Sequence, residues 1–126
     1  MPKIFKLNNN LSLPAIGLGT FQSEAGNDQV KEATLLALQL GYRHIDTGSS
    51  YGNEKEVGAA IKECGIPRKE IFVTTKLAQA WHDPECVEEA LDESLKKLGL
   101  EYGDSINLIR FGKDTFRLTF EQSICI

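Results

Sequence analysis

Three side chains in this sequence have the types and the spacing for acid–base chemistry at a carbonyl group: Asp46, Tyr51 and Lys76. Asp46 lies at the end of His44-Ile45-Asp46-Thr47, Tyr51 in the Gly/Ser loop that follows, and Lys76 directly after Ile71-Phe72-Val73-Thr74-Thr75. If the two runs are neighbouring parallel strands, all three residues reach one rim of the sheet, the rim where α/β folds place their chemistry. Hydride arriving at a carbonyl carbon leaves an alkoxide that needs a proton as its charge develops. A phenol, with an ordinary pKa of about 10, is a reluctant donor or base at neutral pH. A neighbouring ammonium favours the phenolate, and a carboxylate can hold that ammonium in place. Taken singly, Asp46 reads as a cap, Tyr51 as a half-buried loop aromatic and Lys76 as a solvated strand end. Their joint placement is what points to chemistry.

The elements that must position them follow from periodicity. Lys3 to Pro14 reads as a hairpin, with Ile4-Phe5-Lys6-Leu7 and Leu11-Ser12-Leu13-Pro14 alternating around three asparagines that tolerate a left-handed turn. Such a hairpin would either plug the bottom of a barrel or decorate an edge. Ala15 to Phe21 forms the first core strand and its exit, where Gly17 and Gly19 leave room for another backbone or a ligand, or simply mark a bend. A first helix is expected over Asp28 to Leu40, with Val30, Ala33, Ala37 and Leu40 as its buried stripe and Gly41 as its stop. The second strand is Arg43 to Asp46. A second helix opens at Asn53, with Glu56 completing a capping box and Val57, Ala60, Ile61 and Cys64 turned inward. The third strand, Ile71 to Thr75, is apolar enough to be buried on both faces. Asp83 and Pro84 then start a third helix with the stripe Val87, Ala90, Leu91, Leu95 and Leu98. Strands recur at roughly the 30-residue interval of right-handed βαβ units.

Composition narrows the class. The 126 residues are 41% hydrophobic and 25% charged, the balance of one soluble globular domain. A net charge of -4 argues against a nucleic-acid partner. No apolar run has the length of a membrane helix and no signal-peptide core is visible, so a cytoplasmic location is expected. Cys64, Cys86 and Cys125 are widely spaced and no Cys/His cluster suggests a metal; Cys64 reads as a reduced core thiol.

The run from Gly41 to Gly58, with Gly-Tyr-Arg-His-Ile-Asp-Thr at its head, closely resembles the second strand–loop–helix unit of the aldo-keto reductases. Pro14 and Gly17-Leu18-Gly19-Thr20-Phe21 resemble another signature of that family. The likeness extends from about Lys3 to Asp104. It implies an α/β fold, a partial (β/α)8 TIM barrel made of the hairpin, about three βα units and a fourth strand, with an irregular or β tail. Residues 1–104 would be the barrel portion and 105–126 a divergent tail. The resemblance further implies an NADPH-dependent oxidoreductase that reduces a small carbonyl compound. Tyr51 would be the proton donor, tuned by Lys76 and Asp46, with Gly19, Thr20, Phe21 and Asp46 at the cofactor. Trp81, in a rim loop beside His82, would touch substrate or simply pack. His44 occupies a non-catalytic place in the family pattern and reads as structural.

The chain also departs from the pattern. The family run Tyr-Val-Asp-Leu-Tyr-Leu-Ile-His-Trp ends its fourth strand on a catalytic histidine; here Ile109 or Arg110 takes that place. The late loops that bind phosphate in such barrels have no counterpart. Catalytic inactivity of the isolated chain is therefore expected, along with weak cofactor binding. An open half-barrel should also leave two free sheet edges and wet inward-facing Val, Ile or Leu side chains, each forfeiting about 1.5–3 kcal/mol. Either the tail covers part of that inward face or the chain self-associates through those edges; failing both, it should aggregate. The alternatives are a non-catalytic, partner-binding fragment, or a truncation, splice or frameshift product, since Thr115 to Ile126 alternates like a strand where a helix is due.

Overall fold

The computed structural model describes residues 3–22, 24–78, 81, 84–108 and 123–124. His82, Asp83, residues 109–122 and Cys125 lie outside them, so the expectations for those positions, including the histidine's replacement and most of the tail, fall outside the described residues.

The hairpin forms as read. β1 (Ile4–Lys6) pairs antiparallel with β2 (Ser12–Pro14), Phe5 opposite Leu13. Asn10 takes a φ of 67°, and Asn9 Oδ1 accepts the Leu11 N–H at 3.1 Å, the local bond that lets asparagine hold a left-handed turn. Leu11, Ser12 and Pro14 face Arg43, Ile71, Phe72 and Asp104 around a pocket of about 150 Å³. The hairpin thus lies across the amino ends of the strands, as a plug would.

β3 (Leu18–Gly19), β4 (His44–Asp46), β5 (Phe72–Leu77) and β6 (Ser105–Leu108) form a parallel sheet in chain order, and β7 (Ser123–Ile124) adds antiparallel beside β6. Helices α1 (Val30–Gln39), α2 (Glu54–Glu63) and α3 (Val87–Leu98) connect the parallel strands. Register and alternation split the side chains cleanly. Leu18, Ile45 and Val73 turn outward and meet Val30, Leu38, Val57, Ile61 and Leu98 in the main core, and Leu77 and Ile106 meet Ala90 in a second cluster. The opposite face carries His44, Asp46, Phe72, Thr74, Lys76, Ser105 and Asn107.

That inner face corrects the expectation of stranded aliphatics. Its strand positions hold polar or aromatic residues instead of Val, Ile or Leu, and Phe72, Thr74 and Ser105 are already buried. The aliphatic residues of β5, Val73 and Leu77, alternate to the helix side, so an open barrel does not expose them.

Two helix details also differ. Helix α1 begins at Val30, after a 3-10 turn over Glu24–Gln29, and buries Val30, Thr34, Ala37 and Leu38; Ala33 is exposed and Leu40 is 72% exposed. The helix has two apolar flanks: the one facing the sheet and α2 is buried, and the one carrying Leu36 and Leu40 is exposed. The Asn53/Glu56 capping box does not form, because Asn53 is fully buried and its side chain is committed elsewhere. The α2–α3 seam has a cause the periodicity did not show: a Cβ on Gly58 would lie 1.9 Å from the Leu98 carbonyl oxygen, so only glycine lets the two helices approach this closely. The acidic and basic residues of α3 lie on its solvent-facing side.

Candidate active site

The carboxyl rim is assembled by short, strongly specified pieces. Asp46 closes β4, where its backbone pairs with Gly19 on one side and Thr74 on the other. Thr47 follows, fully buried, its N–H donated to the Thr74 carbonyl at 2.8 Å. The chain then turns through a 3-10 segment, Ser49–Tyr51, in which the Tyr51 N–H returns to the Gly48 carbonyl at 3.0 Å. Ser49 Oγ donates to the Lys76 carbonyl at 2.9 Å, tying this loop to β5.

The three residues singled out by type and spacing meet. Lys76 Nζ donates to a carboxylate oxygen of Asp46 and to the Thr47 carbonyl at 3.1 Å, and stands 5.0 Å from the centre of the Tyr51 ring. The Lys76 side chain is only 14% exposed and that of Asp46 37%, so their attraction is less screened than that of a surface pair. A cation over the ring face is itself attractive. Phe21 meets Tyr51 edge-on, ring centres 5.1 Å apart, and is 72% exposed on the rim. A Cβ at Gly19, beside Asp46, would meet nothing within 4 Å, which leaves open room next to the carboxylate.

Other expected site residues stand differently. Thr20 is buried, its N–H donated to the Asp46 carbonyl at 3.0 Å and its hydroxyl turned to Asn53 Oδ1 at 3.4 Å. Trp81 packs against the outer cluster of Leu77, Ala90 and Ile106. His44 is packed into the sheet: Nε2 lies 3.0 Å from Thr74 Oγ1, its ring meets Phe72 edge-on, and a Cβ on Gly17 would fall 2.7 Å from Nδ1. Burial lowers the His44 pKa, partly offset by Asp46. Among the described residues no group of three or more His, Cys, Asp or Glu could hold a metal ion, and no helix is long and apolar enough to cross a membrane.

Two residues escaped the sequence reading. Glu54, 2% exposed at the start of α2, accepts the Thr75 hydroxyl at 2.7 Å; burial raises its pKa, against the pull of Thr75, Ser94 and Lys97. Asn53 was read as a cap and is instead the centre of a buried hydrogen-bond cluster. An Asn-Glu pair at a helix start carries no sign of which way each side chain turns.

Four parallel strands joined by outer helices, with acid, amine and phenol at the carboxyl rim, define part of a (β/α)8 barrel. The family model described as "Aldo/keto reductase family" matches residues 15–115, and the chain belongs to that family. It is 57% identical over 103 residues to a glycerol 2-dehydrogenase (NADP(+)) of Saccharomyces cerevisiae, an alignment covering 81% of this chain and 31% of that protein. Among solved structures, an aldo-keto reductase from a Medee basin deep-sea metagenome library superposes with a TM-score of 0.79 at 52% identity, over 86% of this chain and 39% of that one. The Bombyx mori aldo-keto reductase in complex with NADP gives 0.81 at 39% identity, over 90% and 40%. The chain spans about 31% of the curated relative's length.

Proposed function

We propose that this chain carries the proton-transfer side of an NADPH-dependent carbonyl-reduction site. The observation that carries the reading is the Lys76 ammonium held between the Asp46 carboxylate and the Tyr51 ring. Tyr51 donates the proton that the developing alkoxide takes up, Lys76 stabilises the phenolate left behind, and Asp46 anchors Lys76. The bound cofactor would supply the hydride. Gly19, Thr20, Phe21 and Asp46 would form its nicotinamide end: the open space beside Gly19 and the exposed Phe21 ring suit a flat heterocycle against Asp46. The Saccharomyces relative named for NADP(+) and the Bombyx mori structure containing NADP support that cofactor, and a small carbonyl compound is the substrate class.

Ile109 or Arg110 stands where the family run places its strand-four histidine, so no turnover is expected from these 126 residues. Loss of NADPH absorbance in the presence of an aromatic aldehyde tests this: none is expected, and turnover that disappears in Tyr51→Phe overturns the inactivity. Titrating NADPH against the Trp81 fluorescence tests the cofactor, with at most weak binding expected.

A second reading, a non-catalytic fragment that pairs with another barrel chain or a second copy, is favoured by one observation. Among the described residues β3 has a strand on only one side, and Ile16, just before it, is exposed, as are Leu36 and Leu40 on α1. A discrete dimer on size-exclusion chromatography supports it; a monomer removes it.

A further inference from the structure

We propose that Asn53 is the positioning residue that sets the Tyr51 ring over the Lys76 ammonium, an inference that rests on the reading of the site above. Its side chain is fully buried and uses both ends of its amide. Oδ1 accepts the hydroxyls of Thr47 at 3.3 Å and Thr20 at 3.4 Å; Nδ2 donates to the Thr20 carbonyl at 2.8 Å and to Asn27 Oδ1 at 3.2 Å. Each contact leads in one step to a member of the triad. The Thr47 carbonyl receives the Lys76 ammonium at 3.1 Å, Asn27 Nδ2 donates to the Tyr51 carbonyl at 3.4 Å, and the Thr20 N–H donates to the Asp46 carbonyl at 3.0 Å. One amide therefore joins the exits of β3 and β4, the 3-10 turn before α1 and the Tyr51 loop. None of these segments has a long ladder of its own, so the amide supplies the rigidity that a reacting group needs from its supports.

The chemistry of the cluster makes the proposal specific to the amide rather than to its volume. The nearly isosteric substitution Asn53→Asp turns an acceptor toward the Thr20 carbonyl and Asn27 Oδ1, both acceptors themselves. Flipping the Asn27 amide to repair one contact would point its oxygen at the Tyr51 carbonyl and break the other. The Tyr51 arm is lost either way.

The test is nuclear Overhauser spectroscopy on the labelled chain, reading contacts between the Tyr51 ring and the Lys76 methylenes, with Ile45–Val57 methyl contacts as the core control. Asn53→Asp is expected to at least halve the Tyr51–Lys76 cross-peak while the core contacts persist. An undiminished cross-peak overturns the proposal. If that substitution disturbs the core as well, Asn27→Ala decides, since it removes the link to Tyr51 and leaves the Thr47 arm intact: the cross-peak is again expected to be at least halved, and an unchanged one overturns the proposal. A wild-type chain with no Tyr51–Lys76 contact sinks the reading of the site itself, before any variant is made.

Discussion

The two faces of the sheet do different work. On the outer face Ile45, Val73 and Leu98 pack with five other buried aliphatics between strands and helices, a layer held by non-directional burial. On the inner face His44, Asp46, Thr74 and Lys76 are held by paired hydrogen bonds and one ion pair. The contrast teaches how four parallel strands can form a structure without a closed barrel. What closure would cover is mostly polar, and the apolar share of each strand is spent on the helices.

Substitutions on the two faces test this directly. Ile45→Ala, at a fully buried outer position, is expected to cost about 4 kcal/mol in urea unfolding, through lost transfer energy and the cavity left behind. Gly58→Ala, in the α2–α3 seam of the same layer, should cost about 3 kcal/mol, because backbone stands where the new methyl must go and this outweighs the roughly 1 kcal/mol gained in helix propensity. Thr74→Val, on the inner face, removes the hydroxyl beside His44 Nε2 and should cost only about 1 kcal/mol. If the inner substitution proves as costly as Ile45→Ala, the division between the faces fails.

The finest test uses pH, because among the described residues each face carries one group with a shifted pKa and the shifts are opposite in sign. His44, inside, has its folded-state pKa held below the ordinary 6.5 chiefly by burial, with Asp46, Lys76 and Asp104 as the nearby charges. Its contribution is complete above the ordinary value and is lost as pH falls through the folded one. Glu54, outside, has its pKa raised above the ordinary 4.5 by burial, with Lys97 the charge that opposes this. Its contribution is complete below the ordinary value and is lost as pH rises through the folded one. His44→Gln should flatten the acid side of the stability profile and Glu54→Gln the alkaline side. Unfolding midpoints across pH check both, and an exchange of the two effects would reverse the assignment.

Much of this was legible in the sequence. The βα rhythm, the Asp46/Tyr51/Lys76 set and the buried stripe of α2 could be read because each depends on local period or on the order of neighbouring units. Helix α1 misled, since Thr34 at full burial looks polar while Ala33 and Leu40, read as part of the buried stripe, are exposed. A pattern of apolar residues records every surface a helix can cover, not the one its neighbours leave available. Asn53 was misread for a related reason. Its partner Thr20 is 33 residues away, and no spacing rule spans that distance.

The short antiparallel strand β7 carries a consequence for how this sheet can extend. A right-handed crossover delivers its next strand parallel to the last, and the berth beside β6 that such a strand would take is held by a segment running the other way. Any barrel unit arriving on that side must first peel β7 off, whereas at Leu18–Gly19 no strand among the described residues holds the outer edge.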